Sequence, residues 1–243
     1  AELGWEVVKS LWRNRAGVAS FVKEVWAYYR QTEQPGERPI LILGPGGVGK
    51  TTLNRYLAGT FDWLAEAAGR YDESLATETT AVTGSDPPVA VVTAPGQSHR
   101  RPHVWPALLA EVAGGVYRGV VVVAAYGYHS LGEQQGYQDV PPYHTAVARF
   151  LDPYLAERRA AEVAVLRQLV PHLTACQKRV WLLTVVAKQD LWCDREDDTR
   201  RFYTAGEYGA AVAELAAAKA GGLFRHETAF ASLFIRSFED GKG

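Results

Sequence analysis

An apolar run, Ile40 to Leu43, breaks into Gly-Pro-Gly-Gly-Val-Gly-Lys-Thr-Thr at residues 44–52. Leu53, Tyr56 and Leu57 then recur at three- and four-residue spacing. Four consecutive apolar residues suit a strand buried on both faces, and the later spacing suits a helix, so a strand feeds a helix through a glycine loop. Gly44, Gly49, Lys50 and Thr51 meet G-x-x-x-x-G-K-[ST] in the strand-then-helix context that this motif demands. Glycine lets backbone N–H groups turn round an anion without Cβ clashes, and the helix start adds partial positive charge. The cradle is assigned to Gly44, Gly46, Gly47, Val48, Gly49, Lys50, Thr51 and Thr52, with Lys50 reaching the terminal phosphates and Thr51 able to ligate magnesium.

Beyond this loop, strand-like and helix-like segments alternate without an internal repeat, the pattern of a mostly parallel sheet. The expected fold is α/β, three-layered, with helices on both faces of a central sheet, and an added N-terminal helix. Strands are predicted at 39–43, 80–83, 89–93, 119–126, 180–187 and 229–235, and helices at 3–31, 50–59, 103–114, 153–173 and 206–220. Asp152 is expected to cap the fourth of these helices, with Pro153 in its first position. Residues 1–38 are read as an amphipathic helix and linker, and 39–243 as a nucleotide-binding domain. The loop from Tyr126 to Thr145 holds Tyr126, Tyr128, Tyr137 and Tyr143 and is either a partner-contacting insertion or a cover over the sheet.

Composition narrows the partners. With 243 residues, 47% of them hydrophobic, the chain can bury one large core, and a net charge of −1 supplies no nucleic-acid footprint. Cys176 and Cys193 lack metal-ligand spacing and read as free thiols of a reducing compartment. No apolar run is long enough to span a membrane. The chain starts at Ala1 and contains no methionine, so a preceding segment is expected. The basic, aromatic helix at 3–31 either packs on its own domain or lies at a membrane surface.

Further along the chain come "TETT" at 77–80, "TAPGQ" at 93–97 and "AKQD" at 187–190. A phosphate loop, a threonine switch, P-G-Q and K-x-D in this order resemble the Ras-like small GTPases, over roughly residues 39–238. The nearest pattern is that of the bacterial polarity and gliding-motility GTPases, which are similar in carrying Thr-x-Pro-Gly-Gln. The resemblance implies GTP or GDP as ligand, Mg2+ as cofactor, and an effector or activating protein as partner. It also implies a cytoplasmic site of action, with a membrane tether outside the given chain.

Within that resemblance each residue has a role. Asp190 would accept two hydrogen bonds from the N1–H and N2–H₂ edge of guanine, donors that adenine does not pair, while Lys188 lies along the base. Ala187 stands where relatives carry an asparagine that ties this loop to the phosphate loop. A switch threonine, Thr79 or Thr80 with Thr77 as the other choice, would be the second magnesium ligand beside Thr51. Thr93 replaces an aspartate that holds a magnesium-bound water. Gly96 would offer its N–H to the γ-phosphate, and Gln97 would orient the attacking water, so Gln97 and Lys50 form the catalytic set. The last base-contacting turn is placed at Ser237, after the strand 229–235, with "ETAF" around Thr228 as the competing place. Arg100 and Arg101 are either a cis-acting cation or a solvated pair, and His99 and His103 read as surface or core residues. Only Glu239 to Gly243 remain for a closing helix, so the domain is read as cut short.

The function classes that follow are a slow GTP-hydrolysing switch, a nucleotide-binding scaffold with little hydrolysis, and, less favoured by Gln97 and Asp190, an ATP-using enzyme.

Overall fold

The computed structural model describes residues 38–59, 76–82, 89–129, 145–219 and 223–232, with backbone alone for 145–150. The helix expected at 3–31, Tyr137, Tyr143 and Ser237 lie outside these residues.

Among the described residues six strands form one sheet. They are β1 (Ile40–Leu43), β2 (Glu78–Ala81), β3 (Ala90–Thr93), β4 (Gly119–Ala124), β5 (Val180–Val186) and β6 (Phe224–Phe230). Their order across the sheet is β2-β3-β1-β4-β5-β6, with β2 antiparallel to β3 and every other pair parallel. The helices are α1 (Lys50–Leu57), α2 (Arg101–Ala113), α3 (Thr145–Ala175), the short α4 (Gln189–Trp192), α5 (Glu196–Thr204) and α6 (Glu207–Ala218).

Alternate residues of the inner strands enter two separate cores, as a strand covered on both sides requires. Leu41 and Leu43 of β1 join Val120, Val122 and Leu182 against α2, α3 and α6. Ile40 and Ile42 face the opposite way, with Val121, Val123 and Leu183, under Leu53 of α1. This is a three-layer α/β architecture, so the expected fold class holds for the described residues, with the added N-terminal helix outside them.

Several boundaries differ from expectation, β2 running 78–81 where 80–83 was expected. The last strand is 224–230 and not 229–235, so Thr228 lies inside it and the turn that follows begins at Ala231 and Ser232. Among the described residues β6 pairs only with β5, so as an edge strand it can alternate polar and apolar residues, whereas the apolar run "AFASLFI" imitates an interior strand. α3 starts at Thr145, which places Pro153 within the helix and removes Asp152 from any capping position. The Asp152 carboxylate instead accepts a hydrogen bond from Arg195 at 3.0 Å. Finally, α4 and α5 fill a stretch, 189–204, where no helix was expected.

Candidate nucleotide site

The C-terminal ends of the parallel strands converge, and backbone hydrogen bonds carry the sheet into the loops beyond it. Ala94 N–H donates to Ile42 O at 3.0 Å, Ala187 to Ala124 O at 2.8 Å, and Ala231 to Val186 O at 2.9 Å. The loops after β1, β3, β4, β5 and β6 therefore lie side by side.

The first is the glycine loop. Gly49 caps α1 at φ 103°, in the left-handed region that a Cβ disfavours, and its carbonyl receives Leu53 N–H at 2.9 Å. Val48 and Lys50 are buried, while Gly46, Gly47, Thr51 and Thr52 are partly open to solvent. Lys50 is only 7% exposed, and its ammonium donates to Pro45 O at 2.7 Å. Burial, and then the charge of Arg101, push its pKa down to about 7. An anion placed beside the ammonium would relieve that cost.

The segment after β3 closes against this loop. A Cβ on Gly96 would run into Lys50 Nζ and the carbonyls of Gly44 and Pro45. Gln97 lies on Gly46, its Cα and Cγ 3.7 Å from where a Cβ of that glycine would stand. Arg101 donates to Gly96 O at 2.8 Å and lies over the Trp105 ring at 5.0 Å, while Trp105 Nε1 donates to Pro95 O at 2.9 Å. Arg101 is thus part of the site's wall and not a solvated neighbour. His99 and His103 are exposed.

In the loop after β5, Lys188 takes φ 59° and donates to both Gly47 O at 2.7 Å and Tyr128 O at 2.8 Å. Burial lowers its pKa to about 8 against the opposing pull of Asp190 and Glu162. This lysine makes the tie between loops that a side chain at position 187 does not make. Ala187 itself packs toward Gly49, 4.0 Å from where a Cβ of that glycine would lie. Ser232 Oγ donates to Asp190 Oδ1 at 2.7 Å, and Gln189 N–H donates to Ala231 O at 3.2 Å, so the turn after β6 orients the aspartate. Sequence reasoning missed Ser232 because it ran the strand through it.

The switch threonines divide by register. Glu78 pairs with Thr93, and Thr79 and Thr80 pair with Val92 and Val91, farther from the loop edge. Thr80 hydroxyl is engaged with Asn54 Oδ1 of α1 at 2.5 Å, and Thr79 is exposed within the strand. Thr77 immediately precedes β2, at the end where Thr93 stands. Thr93 is 1% exposed, and its hydroxyl has no hydrogen-bond partner among the described residues. Nowhere among those residues do three His, Cys, Asp or Glu side chains gather as a metal site. A magnesium ion bound largely through phosphate and water oxygens needs no such cluster, and the Thr51 hydroxyl suits it. Both cysteines are free, Cys176 buried and Cys193 exposed.

No protein-family model and no curated protein sequence matches the chain. Among solved structures, it is similar to a bacterial selenocysteine-specific elongation factor, EF-Sec, at 16% identity and a TM-score of 0.42. That match covers 81% of this chain, which spans about a quarter (26%) of the elongation factor's length.

Proposed function

We propose that the chain binds a guanine nucleotide across the C-terminal edge of its sheet and hydrolyses GTP slowly, as a molecular switch. The observation that carries this reading is the span of Lys188, which joins the phosphate loop at Gly47 O to the loop bearing Asp190. That contact sets the distance between a phosphate cradle and a carboxylate already oriented by Ser232. Phosphates would replace Pro45 O as the partner of Lys50 and restore its charge. Asp190 would accept the paired N–H donors of guanine. Gly96 N–H would meet the γ-phosphate, Gln97 would orient water, and Arg101, tied to Gly96 O, would add positive charge beside them. Thr51 and a switch threonine would hold magnesium, which when bound neutralises charge on the β- and γ-phosphates. Its register makes Thr77 the preferred switch threonine over Thr79 and Thr80.

A second reading, nucleotide binding with little hydrolysis, is favoured by Thr93. A neutral hydroxyl holds a metal-bound water less firmly than a carboxylate does. A protein partner that reads the bound nucleotide fits either version. No helix among the described residues is long and apolar enough to cross a membrane.

Titration with labelled GTP, GDP and ATP, with and without magnesium, followed by phosphate release, tests these readings together. GTP should outcompete ATP, and Asp190→Asn should shift preference toward xanthine nucleotides by exchanging an acceptor for a donor. Equal competition by ATP would overturn the guanine assignment, and binding without phosphate release would leave the scaffold reading.

A further inference from the structure

We infer that Glu162, in the middle of α3, is a positioning residue for the nucleotide site, acting through the loop after β4 and Lys188. The inference rests on the guanine-nucleotide reading above. Glu162 is 0% exposed, and a carboxylate so placed persists only when donors surround it. Its Oε1 accepts from Ala125 N–H at 2.9 Å, Gly127 N–H at 3.1 Å and His129 Nε2 at 2.8 Å. Its Oε2 accepts from Tyr203 OH at 2.5 Å, and that hydroxyl in turn accepts from Tyr126 N–H at 2.9 Å. Four of the five residues 125–129 are thereby fixed to a single carboxylate, directly or through one hydroxyl. The fifth, Tyr128, turns its carbonyl to Lys188 Nζ at 2.8 Å, and Lys188 reaches on to Gly47 O at 2.7 Å. The loop has little slack, since Tyr126 and Gly127 take φ 51° and 84° and a Cβ on Gly127 would strike the Leu155 backbone of α3. A shift of the Glu162 carboxylate therefore moves Tyr128 O, and with it the lysine that spaces phosphates from base.

The test is a double-mutant cycle in the full chain, using fluorescent GDP. Dissociation constants and dissociation rates are measured for the unmodified protein, Glu162→Gln, Lys188→Met and the double variant, and folding is followed separately by urea unfolding. Glu162→Gln should weaken GDP about tenfold, mainly by faster release, the size of one lost charge-assisted contact. The double variant should bind no more weakly than Lys188→Met alone, because both changes break one chain of contacts. Near-normal affinity in folded Glu162→Gln, or losses that simply add, would overturn the inference and leave Glu162 with a structural role only. Should Glu162→Gln fail to fold, His129→Ala, which removes one of the donors, decides by the same criterion. An unmodified protein that binds no guanine nucleotide would instead sink the functional reading, and this inference with it.

Discussion

Lys50, 7% exposed and pushed by burial and Arg101 from 10.5 to about 7, should have a measurable effect on folding. The folded state binds its proton less tightly than the unfolded state, so the cost is complete below about pH 7 and is relieved as pH rises toward 10.5. Nucleotide-free protein should therefore become more stable between pH 7 and 9. Lys50→Met should be more stable than the parent at pH 6, by up to a few kcal/mol, and should flatten that rise. Urea midpoints across pH measure both effects, and parallel pH curves for the two proteins would contradict them. The same change should abolish tight triphosphate binding. Gln97→Leu should keep affinity near normal while cutting phosphate release, because a water-orienting contact acts in the transition state. Unchanged release would assign the water to another residue. Lys50 was singled out by the spacing of its own glycine loop, and Gln97 and Asp190 by the resemblance of P-G-Q and K-x-D; the structure sets Gln97 against Gly46 and Asp190 against Ser232. Arg101 was read only as one of two alternatives, and Ser232 and Glu162 were not singled out, because their contacts form only where separate elements meet. Glu162 left a trace, a lone carboxylate in register with Leu155, Leu166, Leu169 and Leu173 on a helix, where the apolar stripe predicts burial.

At the scale of elements, the buried strands were read correctly because apolar runs with no alternation can only be interior. The edge strand was misplaced for the same reason, since Arg225 and Glu227, paired with each other at 2.7 Å on β6, look unlike an interior strand. Helix α3 was read as starting late because a proline after an aspartate is a strong start signal, although prolines occur inside this helix at positions 153 and 171. Between β4 and β5 one close fit is testable. Gly119 pairs with Trp181, and a Cβ on the glycine would fall among the indole ring atoms. Gly119→Ala should lower stability by roughly 1–3 kcal/mol, as overpacking does, without altering nucleotide selectivity. A urea midpoint equal to that of the parent would show that the ring moves aside freely.

For the whole molecule, a nucleotide held as proposed by the loops after β1, β3 and β5 should stabilise the sheet cooperatively on binding. GTP at a hundredfold excess over its dissociation constant should add about 2.7 kcal/mol to unfolding, and ATP at the same concentration much less. Hydrogen exchange should slow in peptides covering 76–82 and 94–101 with GTP relative to GDP, while β4 and β5 exchange alike in both states. Identical exchange in the two nucleotide states would argue for the scaffold over the switch. The pairing of Gly119 with Trp181 also has a historical side. Each residue makes room for, or fills, the space of the other, so a lineage that enlarged position 119 would have needed a smaller residue at 181. In descendants of a common ancestor these two positions should change together, and sequence drift alone would then record a contact made across the middle of the sheet.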